Sequence, residues 1–95
     1  MLTKGDTQTI INAIIGYQMQ IIGPLAVTQA SKVTGLKLND RGEVEEVKGN
    51  DEIVLSELVK KYEALFGQAS VDACKESIRE ILPTISSKDL PDFLR

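Results

Sequence analysis

The chain has 95 residues, a formal net charge of −3, one cysteine and no histidine. That is one small domain in which no internal disulfide can form, and one cysteine without histidine cannot build a zinc site. Fourteen acids against eleven bases argue against a general nucleic-acid binder, which needs a basic face, and the four aromatics (Tyr17, Tyr62, Phe66, Phe93) are too scattered to stack bases.

The N-terminus, MLTKGDTQT, lacks the basic n-region and short apolar run of a signal peptide, so a cytoplasmic location is expected, which also suits a lone thiol. Thr3-Lys4-Gly5-Asp6 has capping-box spacing with Asp6 in place of Glu, and Asp6 is an alternative N-cap. A long first helix is expected over 3–34. Ile10, Ile14, Tyr17 and Ile21 form one stripe along it, and Ile11, Ile15 and Ile22 form a second. Together they exceed the ~100° that a surface helix turns toward its core. Gly23-Pro24 interrupts, because Pro24 has no N–H for the Gln20 carbonyl and its ring crowds that carbonyl. The helix either kinks there or ends and restarts with Pro24 in the first turn; the kink is the preferred reading. Gly35 is placed to close it.

Residues 36–48 read as a short hairpin. Leu36 and Leu38 alternate with polar residues, Asn39-Asp40-Arg41-Gly42 is a turn signature, and Val44 and Val47 return at a spacing of three that breaks strict alternation. A second helix is expected over 51–66, capped by Asn50 or Asp51 and stopped by Gly67, with Val54, Leu55, Leu58, Val59 and Tyr62 on one face. A third, over 70–82, is capped by Ser70, carries Val71, Cys74, Ile78, Ile81 and Leu82 on its apolar face and is ended by Pro83. In the tail, 86–95, Ser86 to Asp89 can cap a last turn bearing Leu90, Phe93 and Leu94. The simpler reading is that this tail covers its own core, the alternative being a docking motif for a partner groove. The fold class is therefore mainly α: three principal helices, the first kinked at Gly23-Pro24, a hairpin between the first and second, and an antiparallel pair formed by the second and third.

From Thr7 to Ser31 there is no charged residue. The run is longer than the ~20 residues of a membrane span. It carries Gln8, Asn12, Gln18, Gln20 and Gln29, however, and lacks an aromatic belt and basic flanks, so membrane insertion is disfavoured. The plain reading is a central helix wrapped by the others. The sharper one is that two later helices with one stripe each cannot cover both isoleucine stripes, and a second copy of the chain covers the rest. On that reading Ile11, Ile15, Gln18, Ile22 and Ala26 form the interface, and Gly16 and Gly23, seven apart on one side, allow close approach of another backbone beside the Gly23-Pro24 bend.

Other constellations point away from chemistry. Cys74 lies on an apolar stripe with no histidine to activate it, and reads as a small core residue. Glu43, Glu45, Glu46, Asp51, Glu52 and Glu57 are a loose cluster without the alternate-position ligand loop of a calcium site, and read as a solvated face. No glycine pattern makes a nucleotide cradle. No cofactor is expected. The expected function is a non-enzymatic, homodimeric adaptor or assembly module, acting beside a larger protein partner. The alternative is a small regulatory module that binds an apolar ligand near Tyr17, Met19 and Tyr62, between the first helix and the other two.

Overall fold

A computed structural model describes residues 2–81, 85 and 87–95. The expected positions of Leu82, Pro83 and Ser86 lie outside the described residues. The chain is mainly helical, with a small two-stranded antiparallel sheet.

Helix α1 runs Lys4–Ile22. The capping box forms as the spacing predicts: Thr3 Oγ1 accepts from the Asp6 N–H at 3.0 Å, and Asp6 Oδ2 accepts from the Thr3 N–H at 3.1 Å. The expected single kinked helix is instead two helices. At Gly23 the backbone turns to φ 69°, ψ −151°, outside the helical region, and its N–H closes the last turn on the Met19 carbonyl. A residue with a side chain resists that φ, and Pro24 beyond it supplies no donor, so the ladder stops rather than bends. Helix α2, Leu25–Ala30, follows, with Pro24 as its N-cap and no side-chain cap.

Strand β1 is Leu36–Leu38 and β2 is Val44–Val47, paired antiparallel with Leu36 opposite Val47, Lys37 opposite Glu46 and Leu38 opposite Val44. One residue of β2 is therefore extra between Lys37 and Leu38. That bulge explains why the two inward valines are three apart. Asn39 Oδ1 holds the turn by accepting from the Arg41 and Glu43 N–H groups at 2.9 and 3.0 Å. Gly42, at φ 82°, lies so close to Val27 that an added Cβ would sit 2.6 Å from a valine methyl. Asn12 of α1 ties the hairpin down, its Oδ1 accepting from the Val44 N–H at 2.9 Å.

Helix α3 spans Asp51–Phe66, as read from the sequence, with Asn50 as the cap accepting from the Ile53 N–H. Helix α4 spans Gln68–Arg79. It starts two residues before the expected Ser70, because Gly67 both ends α3 and begins α4; Ser70 is buried and caps nothing. The tail makes 3-10 turns at Ser87–Asp89 and Asp92–Leu94 and covers the core with Leu90 and Leu94, both buried.

The core is one cluster. Ile10, Ile11, Ile14 and Ile15 of α1 pack among Val54, Leu55, Leu58 and Tyr62 of α3, Cys74 and Ile78 of α4, Ala26 and Ala30 of α2, and Leu36 and Val47 of the hairpin. Two polar ties fix the frame. Asp51, at the head of α3, takes Lys4 Nζ at 2.5 Å and the Thr7 hydroxyl at 3.0 Å, both from α1. Tyr62 donates its hydroxyl to the Ala26 carbonyl at 2.8 Å, holding α2 against α3. Among the described residues no helix is long and apolar enough to cross a membrane.

Candidate functional site

The residues expected to meet a second molecule do not share one surface. Ile11 and Ala26 are 0 % exposed and Ile15 and Gln18 are 1 % exposed, so all four belong to the chain's own core. Only Ile22 stays half-buried near the surface. The correction has a physical cause. Two later helices are not the whole cover: α2 and the hairpin also pack on α1, and the tail adds Leu90 and Leu94 to the same core cluster. Gly16 is exposed with nothing within 4 Å of where its Cβ would be, whereas Gly23 and Pro24 serve the helix break.

Nor is Tyr62 a wall of an open pocket. Its ring is fully buried; burial first, then the neighbouring Cys74, pushes its phenol well above the ordinary range. Met19 borders a separate shallow depression with Pro24, Val27 and the turn residues Asp40 and Arg41.

An apolar groove instead opens where the last turn of α1 meets the α3–α4 turn. Its volume is about 300 Å³, and it is lined by Gln18, Ile21, Ile22, Phe66, Ala69, Ser70 and Ala73. The local sequence builds it directly. Gly67 turns the chain so tightly that Phe66, the last residue of α3, is left outside the helix pair with 54 % of its surface exposed. On α4, Ala69, Ser70 and Ala73 are too short to fill the space toward α1. On α1, Ile21 continues the Ile10–Ile14–Tyr17 stripe one turn too far for the core to cover, and is 57 % exposed. Large walls over a low floor leave a groove, and no ionisable residue lines it.

Its polar edge is structural. Gln18 Nε2 donates to the Ser70 carbonyl at 3.2 Å and to Cys74 Sγ at 3.6 Å. The thiol below is fully buried, and burial pushes it up to about 11, a rise that the Gln18 hydrogen bond partly opposes. At neutral pH it is a protonated core group. The acidic residues of the hairpin and α3 do not converge either: Glu43, Glu45, Glu46 and Glu52 are exposed, and Asp51 is engaged by Lys4 and Thr7. Among the described residues no group of three or more His, Cys, Asp and Glu side chains is placed to hold a metal ion.

Comparison of the chain with protein-family models, curated proteins and solved structures finds no match. The groove and the outside of α1 are therefore the features on which function is read. Sequence reasoning missed Ile21, Phe66, Ala69 and Ala73. A signal for Phe66 was present, since an aromatic just before a helix-stopping glycine sits beyond the last turn that a neighbouring helix can cover.

Proposed function

We propose that this chain is a non-enzymatic assembly module that associates with a second copy of itself and serves as an adaptor for a larger partner. The observation that carries the reading is the solvent side of the uncharged run. Core burial accounts for Ile10, Ile11, Ile14 and Ile15. It does not account for Thr9, Gly16, Met19, Gln20, Ile21, Leu25 and Thr28, all exposed and all uncharged. The exposed sides of α3 and α4 carry Glu52, Lys60, Glu63, Asp72, Glu76 and Arg79. Charge on a wet helix face carries little penalty, whereas charge on a face that becomes dry must be desolvated, which is why interface centres are poor in charge. The outside of α1 has the composition of a face that is covered part of the time.

Mass in solution from micromolar to millimolar concentration tests this. A rise from monomer to dimer is expected, and Ile21→Asp, which places a charge on an exposed position, abolishes the rise while leaving the helical signal intact. A wild-type chain that stays monomeric throughout refutes the reading. The groove favours one second reading, a regulatory module that binds a small apolar ligand. That reading expects a monomer whose melting temperature rises with an added hydrophobic compound, and loses that rise when Ala69→Tyr fills the groove.

A further inference from the structure

The apolar groove contains one polar atom that the fold leaves without a partner. Resting on the second reading, that of a ligand-binding module, we infer that the groove takes a small, flat, uncharged aromatic molecule whose single N–H or O–H group donates to Gln18 Oε1.

Both amide hydrogens of Gln18 are committed to the frame. Nε2 donates to the Ser70 carbonyl at 3.2 Å and to Cys74 Sγ at 3.6 Å. The first bond also fixes which way the amide faces, because a carbonyl oxygen only accepts and would repel Oε1 in that place. The side-chain oxygen therefore faces away from Ser70, and no donor among the described residues reaches it. Gln18 is only 1 % exposed. Yet every buried side-chain nitrogen or oxygen among the described residues has a partner. Oε1 is thus not sealed in, and it shares in the sliver of Gln18 that stays open. That opening is the groove, which Gln18 borders.

The acceptor makes the groove selective. A ligand that covers Oε1 without donating to it strips the oxygen of water and gives nothing back, whereas one with a placed donor replaces that water. The rest of the lining sets the body of the ligand. Phe66 and Ile21 stand tall beside the low floor of Ala69 and Ala73, which suits a flat ring. No ionisable residue is present to partner a charged ligand after it loses its hydration. A cavity of ~150 Å³ holds one benzene, so a groove of about 300 Å³ admits a bicyclic ring the size of indole. Its solvent side is open, so binding is weak, with a dissociation constant on the order of 0.1–1 mM.

Indole and benzothiophene test the assignment, since the two have nearly the same shape and only indole carries a donor. The chain has no tryptophan, so indole fluorescence reports binding without interference. Shifts of the Gln18 side-chain amide and of the Ala69 and Ala73 backbone amides in NMR spectra locate the ligand. Indole is expected to move these signals and to bind about 5-fold or more tightly than benzothiophene, although benzothiophene is the more apolar. Ala69→Tyr, at an exposed position, is expected to abolish the binding of both at an unchanged melting temperature. Benzothiophene that binds as tightly as indole at the same residues overturns the role of Gln18 Oε1 and leaves the ligand-binding reading standing. Indole that moves signals elsewhere in the chain and spares Gln18, Ala69 and Ala73 overturns the site. If neither compound moves any signal at millimolar concentration, the inference and the ligand-binding reading both fall.

Discussion

Removing one oxygen, by Tyr62→Phe, tests how the short α2 helix is held. Helix α2 has six residues and no side-chain cap, too few to be stable by itself. Ala26 and Ala30 bury little area each, so its position depends on the Tyr62 hydroxyl, which donates to the Ala26 carbonyl at 2.8 Å in a fully buried site. The substitution keeps the ring and its packing and deletes a buried neutral hydrogen bond, at a net cost of about 1 kcal/mol. In a domain of this size that lowers the melting temperature by about 4–8 °C. The comparison also has a pH arm with a fixed sign. The folded Tyr62 phenol is raised by burial above its unfolded value of 10.0. Its contribution is complete below pH 10 and is lost as the pH climbs further, because the unfolded phenol ionises while the folded one holds its proton. Phenylalanine has no such loss, so the stability gap between the two proteins closes above pH 10. Urea unfolding at neutral pH and between pH 9 and 11, at concentrations where the chain is monomeric, measures both arms. Equal midpoints at neutral pH, or a gap that does not change with pH, refute the account.

Cys74 should be silent to thiol reagents in the native protein and react only at the rate of unfolding, because it is buried and raised from 9.0 to about 11. The same shift gives stability that is complete below pH 9 and falls as the pH rises through 11, by at most ~3 kcal/mol; Cys74→Ala removes that alkaline step. Gly16→Ala, in open space on a helix, is expected to raise the stability of the monomer by about 0.5–1 kcal/mol in thermal melts. Gly42→Ala is expected to cost about 2–3 kcal/mol in the same assay, since it combines a φ of 82° with a contact of 2.6 Å to Val27. Asp51→Ala strands the buried Thr7 hydroxyl and frees the half-exposed Lys4, and should lower stability by about 1–2 kcal/mol in urea titration, mostly through Thr7.

Where the chain's own local chemistry sets a boundary, the sequence was enough. The α3 limits follow from Asn50, whose side chain caps the first turn, and Gly67, which takes the positive φ that stops the last. Thr3 and Asp6 close a box that needs only residues three apart. Boundaries that depend on two elements at once were harder to see. Ser70 has the chemistry of an N-cap, but Gly67 had already turned the chain, and Ser70 went inside as the acceptor for Gln18. Gly23-Pro24 was legible as an interruption. That it is a full break follows from α2 finding its own burial sites against α3, among them the bond from Tyr62, which lies 36 residues away.

The candidate site failed on the sequence for a related reason. Periodicity states which residues avoid water; it does not state what covers them. Ile11, Ile15, Gln18 and Ala26 carry the same signal whether a neighbouring helix or a second molecule buries them, and here the chain's own elements do so. The groove is invisible to periodicity because it depends on where elements end. Ile21 is in phase with Ile10 and Ile14, yet it lies where the core has run out. The uncharged run has two halves with separate causes. Its inward half is apolar because a small core needs every isoleucine it can enclose. Its outward half is polar or apolar, and still without charge, which the fold does not require, since a charged residue at Thr9 or Gln20 would be fully hydrated. Thr9→Glu or Gln20→Lys should therefore leave the stability of the monomer, read from thermal melts, within about 0.5 kcal/mol of wild type. If either instead unfolds the monomer, the outer face of α1 is a structural part of the fold rather than a surface kept for contact.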